Sequence, residues 1–221
     1  MPVEVTETEA RVLGCLMEKS VTTPDYYPLT LNALTHACNQ KSNRNPVLNL
    51  DEKNVVAGVD GLRDKKLAWL ISPAGSKVPK YEHRFQEAFQ TDEAEQALLC
   101  ELLLRGPQTV GELRSHAGRL CDFASITAVS EVFQKLMSRE PEPLVIELPR
   151  QPGRKEPRYM HLLCGPVDLS GQDTTAPEEP ARVALQAETE RIQALEDTLA
   201  TVQEELAALR SEFTEFRQQF E

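Results

Sequence analysis

The side chains in this sequence with the clearest chemistry are cations and amides of the kind that hold phosphate. Between His36 and Arg84, nine Lys and Arg stand against five Asp and Glu, a local net of +4. A polar stretch at 38–46, CNQKSNRNP, adds amides to the cations. Guanidinium and ammonium groups pair with phosphate oxygens, and amides bond to phosphates or base edges, so the first half offers Lys41, Asn43, Arg44, Lys53, Arg63, Lys66 and Lys77 as nucleic-acid contacts. A second group, Arg150, Arg154, Lys155 and Arg158, lies in a Pro- and Gly-rich run with a net of +3 after Glu156. The amides at 39–45 have an equally good structural use, which is to satisfy the backbone groups of an irregular connection.

Other chemistries find little support. His36-x-Cys38 and His161-x-x-Cys164 are the close His/Cys pairs, there is no CxxC, and Cys100, Cys121 and His116 stand singly, so no four-ligand metal site is expected. Five cysteines at irregular spacing read as reduced, apolar thiols. Without a Gly-rich phosphate loop, a nucleophile elbow or HExxH, neither enzyme activity nor a cofactor is expected.

The elements that must carry these residues occur twice. Pro28, Thr30, Leu31 and Leu34 recur as Pro107, Thr109, Val110 and Leu113, and Glu9, Val12, Leu13, Leu16 and Met17 recur as Glu95, Leu98, Leu99, Leu102 and Leu103. A third apolar series follows each, Val55, Val59, Leu62 and then Val129, Phe133, Leu136. Their spacing predicts helices over 8–19, 30–39 and 50–66, and again over 92–104, 110–117 and 125–138. Strands are predicted at 69–71 and 80–85, and at 144–148 and 159–163, with Trp69 anchoring the first against the core. Helix, helix, helix, hairpin is the order of a winged helix, so the expected fold is mainly α with small β-hairpins (α+β), built as two tandem winged-helix domains over 1–90 and 91–165.

A linker is expected at 166–180, where Pro, Gly, Asp, Thr and Glu leave little to bury. Beyond it Ile192, Leu195, Leu199, Val202, Leu206, Leu209, Phe213, Phe216 and Phe220 alternate steps of three and four, the seam of a coiled coil over 181–221 through which the chain would dimerise. A single amphipathic helix folding back on its own domains is the other reading. The chain's net charge of −11 gathers here, because 166–221 holds 4 Lys and Arg against 13 Asp and Glu, while 1–165 holds 20 against 22. A near-neutral body can still present a basic face. The start MPVEVTETEA is not a signal peptide and no apolar run spans a bilayer, so a cytoplasmic protein without a membrane partner is expected.

From Thr6 to Gly165 the chain resembles the YceH-type family of uncharacterised bacterial proteins, in TETEARVLGCLMEK, in PDYYPLTLNALTHACNQKSNRNPV and in PQTVGELRSHAGRL. The resemblance implies two tandem winged helices and supplies no activity. In such a fold the third helix and the wing meet DNA. Here the first such helix exposes Lys53, Asp60 and Asp64 with Arg63 to one side, and the second exposes Thr127, Ser130, Glu131, Gln134 and Lys135. Carboxylates facing a phosphate groove repel it. The expected function is therefore non-enzymatic binding of duplex DNA, as a transcriptional regulator or nucleoid-associated factor. The alternative is an adaptor that docks its winged helices on a partner protein.

Overall fold

Thr6 and Asp92 carry the same start signal, and the two halves unfold from it. In the structure, a computed structural model that describes residues 3–72, 78–150 and 156–167, the first half runs α1 (Glu7–Thr22), a 3-10 turn (Pro24–Tyr26), β1 (Leu29–Thr30), α2 (Leu31–Cys38), α3 (Glu52–Asp64), β2 (Ala68–Ile71), β3 (Lys80–His83) and α4 (Phe85–Phe89). The second runs α5 (Glu93–Arg105), α6 (Val110–Ala117), α7 (Ile126–Met137), β4 (Val145–Glu147) and β5 (Tyr159–His161). Thr6 and Asp92 close capping boxes on α1 and α5 with Glu9 and Glu95. Thr30 and Thr109 cap α2 and α6, and Asp51 and Ser125 cap α3 and α7. The repeat in the sequence is thus a repeat of helix starts as well as of apolar faces.

The sheets repeat too. β2 and β3 form an antiparallel hairpin, and β1 adds beyond β3 in the order β1-β3-β2, with Leu29 opposite Tyr81. In the second half β4 pairs β5, and the residue equivalent to Leu29, Gln108, bridges Tyr159. The fold is α+β, with seven helices among the described residues.

The expected helices are present, shifted by up to three residues at their ends. The short strand β1 and the helix α4 were not legible in the spacing. α4 has only five residues, and what holds it is the Phe85 and Phe89 rings, 4.6 Å apart between centroids. Trp69 does not anchor β2 against the core. Its side chain is 53% exposed, and the core position is taken by the neighbouring Ala68, at 1%.

α1 and α5 are buried over most of their circumference because they pack on each other as well as on their own halves. Gly14 lets them approach: a Cβ there would sit 2.9 Å from Leu104 Cδ2 and 3.1 Å from Leu103 Cβ. The N-terminal segment closes the arrangement, with the Val5 N–H donating to the Leu163 carbonyl at 2.8 Å. No helix among the described residues is long and apolar enough to cross a membrane. The segments expected as a linker beyond residue 167 and as a coiled coil at 181–221 lie outside the described residues.

A buried ion network and a candidate interaction groove

The polar loop at 38–46 turns inward. Arg44, offered by its sequence as a phosphate contact, is 0% exposed. Its guanidinium donates to Glu18 through Nη1 at 3.0 Å and Nη2 at 2.5 Å, to the Ala37 carbonyl through Nε at 3.1 Å and to the Asn43 carbonyl at 2.7 Å. It is therefore removed from the nucleic-acid candidates: a buried guanidinium with its donors taken cannot reach a phosphate. Asn43, at a left-handed φ of 57°, accepts from Arg105 Nη2 at 2.6 Å and belongs to the same cluster. Arg119 joins Glu18 to Glu101, and Arg105 Nε lies 3.0 Å from Glu101. Asn45 donates its backbone N–H to the Leu104 carbonyl at 3.0 Å. A loop of the first half is in this way riveted to α5 of the second.

Burial alone would raise the Glu18 carboxyl, but the hydrogen bonds and charge of Arg44, with Arg119 behind them, outweigh it and hold the group down at about 2. Burial wins at Glu101, whose carboxyl is raised despite Arg119 and Arg105. Arg11, also buried, donates to the Cys38 and Pro46 carbonyls at 3.2 and 2.7 Å. Arg11, Glu18, Glu101, Arg105 and Arg119 were not among the candidates from sequence. The signal was present: Arg11 and Glu18 sit in the apolar run of α1 and Glu101 in ALLCELLLR, where a charge is kept only with a partner.

The other candidates scatter. Lys41, Lys53, Lys66 and Arg150 are exposed, with no ion-pair partner among the described residues. Arg63 pairs with Asp60 at 2.7 Å. Arg158 donates to the Pro107 carbonyl at 2.9 Å and to Glu112 at 3.2 Å, so it ties the second hairpin to α6. Lys77, Arg154 and Lys155 lie outside the described residues. On α7, Lys135 pairs with Asp92 at 3.1 Å and Ile126 is 53% exposed. Among the described residues no cluster of three or more His, Cys, Asp or Glu could hold a metal, and the cysteines are free.

The structure does bring together a groove between α3 and β2. Asp60, Arg63 and Asp64 form one wall, and Ala68, Trp69 and Leu70 the other. Leu70 is 42% exposed beside the half-exposed Trp69. The Arg84 guanidinium lies 4.2 Å over the Trp69 ring, held there by Glu82 at 2.5 Å and Glu87 at 2.8 Å. Asp60 and Asp64 are one turn apart at the C-terminal end of α3, where the helix dipole is already negative. Arg63 answers Asp60, and Asp64 has no ion-pair partner among the described residues.

Comparison with known proteins adds kinship. The chain is 56% identical to a UPF0502 protein of Geobacter sulfurreducens over 221 residues, covering all of both chains. It is 52% identical to one of Geotalea uraniireducens, again over both full lengths. A third, from Geobacter metallireducens, is 56% identical over 213 residues, 96% of each chain. Residues 5–154 match the family model described as "Protein of unknown function, DUF480". With that match and these full-length relatives, the chain belongs to the DUF480 family of bacterial proteins.

Proposed function

We propose that the chain is a cytoplasmic interaction module, two tandem winged-helix units that act by binding and without catalysis, and that its working face is the α3–β2 groove, which docks a partner protein. In this reading α3 and α7 are the groove helices and the hairpins the wings. The repeated order of three helices and a hairpin, with a third short strand or bridge beside each hairpin, supports it.

The observation that carries the docking role is the composition of the groove. An exposed Trp beside an exposed Leu is the kind of anchor protein interfaces use. Asp60 and Asp64 on the groove helix repel phosphate and attract a cationic side chain. The alternating apolar seam at 181–221 supports self-association, so that each assembly would present two such grooves.

Duplex DNA is the second reading, favoured by the exposed Lys41, Lys53, Lys66 and Arg150. Capture from a bacterial lysate with the intact chain and with Trp69→Ala and Asp64→Lys, beside a duplex DNA titration, separates the two. Docking predicts proteins retained by the intact chain and lost with either substitution, with DNA binding weak and gone by about 0.2 M salt. Unchanged retention together with tight, steeply salt-dependent DNA binding would favour the DNA reading.

A further inference from the structure

β2 is an edge strand, last in the order β1-β3-β2. Arg84 donates its backbone N–H to the Leu67 carbonyl at 2.8 Å, while the Leu67 N–H goes to the Leu62 carbonyl, and this single bond sets the phase of the ladder at the foot of the hairpin. Antiparallel pairs alternate, so with Ala68 opposite His83 and Leu70 opposite Tyr81, the N–H and C=O groups of Ala68 and Leu70 turn away from β3. No described residue takes these groups; those of Ala68 are buried with the residue, 1% exposed, and those of Leu70, 42% exposed, stand open. Natural edges are guarded by Lys, Pro or a bulge, whereas β2 reads Ala-Trp-Leu-Ile and has none of these. The open edge runs along the groove whose other wall carries Asp60 and Asp64.

We propose that the outer edge of β2 receives an extended segment of the partner protein as an added strand, with alternating apolar and Lys or Arg side chains. The inference rests on the docking reading above. A strand laid about 4.8 Å from β2 completes the outward backbone groups of Leu70, and its alternate side chains fall on the α3 side of the sheet. There an apolar residue covers Leu70 and a cation meets Asp64. A second copy of this chain is the poorer occupant, because its β2 carries no cation to answer Asp64.

The test is selection of displayed random twelve-residue peptides on the full chain, with counter-selection on Leu70→Pro. Proline at that edge position removes an outward donor while leaving the β2–β3 bonds in place. The selected peptide is then resynthesised, and amide exchange at Leu70 is followed by NMR. The expected result is a peptide of alternating apolar and basic residues that slows the Leu70 amide at least tenfold. It binds Asp64→Lys at least tenfold more weakly, and it does not bind Leu70→Pro although that chain melts within a few degrees of the original. A selected peptide that binds but leaves the Leu70 amide at its free rate overturns strand addition while the docking reading stands. No enrichment over the Leu70→Pro chain also overturns it, with docking then judged on the lysate capture alone. Slowed exchange that grows with protein concentration in the absence of peptide would give the edge to a second copy and overturn the proposal.

Discussion

Arg44 and Glu18 meet in a two-pronged ion pair at 3.0 and 2.5 Å, with neither side chain exposed to solvent. Removing Arg44 takes the two-pronged partner from the buried Glu18 carboxylate and leaves it only Arg119 and Lys19, so Arg44→Met is expected to cost about 3 kcal/mol in urea unfolding. The double change Glu18→Met with Arg44→Met is expected to cost clearly less than the sum of the two single changes. Arg119 keeps Glu101 as its partner, and no lone charge remains from the pair. Additive losses would mean that the two residues do not act as one unit.

Gly14 sits where α1 packs against Leu103 and Leu104 of α5. Gly14→Val should destabilise by about 1–3 kcal/mol, since its side chain must displace Leu103 and Leu104 from a filled interface. Gly111 on α6 has only the Thr109 hydroxyl oxygen within 4 Å of a built Cβ, so Gly111→Ala is the control and should be neutral or slightly stabilising. Thermal unfolding of the two variants side by side is the measurement.

Stability should fall as pH drops from about 6.5 towards 4. Burial pushes the His161 imidazole down to about 4, and its Nδ1 finds no hydrogen-bond partner among the described residues. His83 is also pushed to about 4, by burial first, with Arg84 adding to the effect against Glu87. The unfolded chain binds protons at these groups in that window and the folded chain does not. Their contribution is therefore complete above about 6.5 and lost on the way to 4, up to about 3 kcal/mol for His161. Glu18 acts lower, between its ordinary 4.5 and about 2. His161→Phe should flatten the loss between pH 6.5 and 4, and an unchanged slope would remove His161 from this account.

The helices were legible because apolar spacing is local: Val12, Leu13 and Leu16, and Leu98, Leu99 and Leu102, mark α1 and α5 before any contact is known, whereas the capping boxes of Thr6 with Glu9 and Asp92 with Glu95 set the exact starts. Burial of Arg44 was not, because a cation in a polar loop looks solvent-facing until Glu18, 26 residues away, is brought beneath it. Trp69 failed for the opposite reason. An aromatic residue on a strand reads as core, but period two gave the core side to Ala68 and left the ring at an edge, under Arg84. What could be read of the groove was Asp60 and Asp64, whose exposure followed from the inward turn of Val55, Val59 and Leu62.

The seam at 181–221 predicts dimers. Leu199→Glu with Leu206→Glu places charges at two seam positions and should convert the chain from dimer to monomer in light scattering at tens of micromolar. Melting of the helical halves should be unchanged. Equal masses for the two chains would place self-association elsewhere.

A photo-crosslinking side chain installed in place of Leu70, in the bacterium that makes the protein, decides whether the α3–β2 groove docks a protein. A discrete protein adduct is expected from that position. The same side chain at the exposed Gln86 should give none, and Asp64→Lys should suppress the Leu70 adduct at least tenfold. The contrary result is no adduct at Leu70 in a chain that binds duplex DNA tightly, with log K falling steeply against log salt.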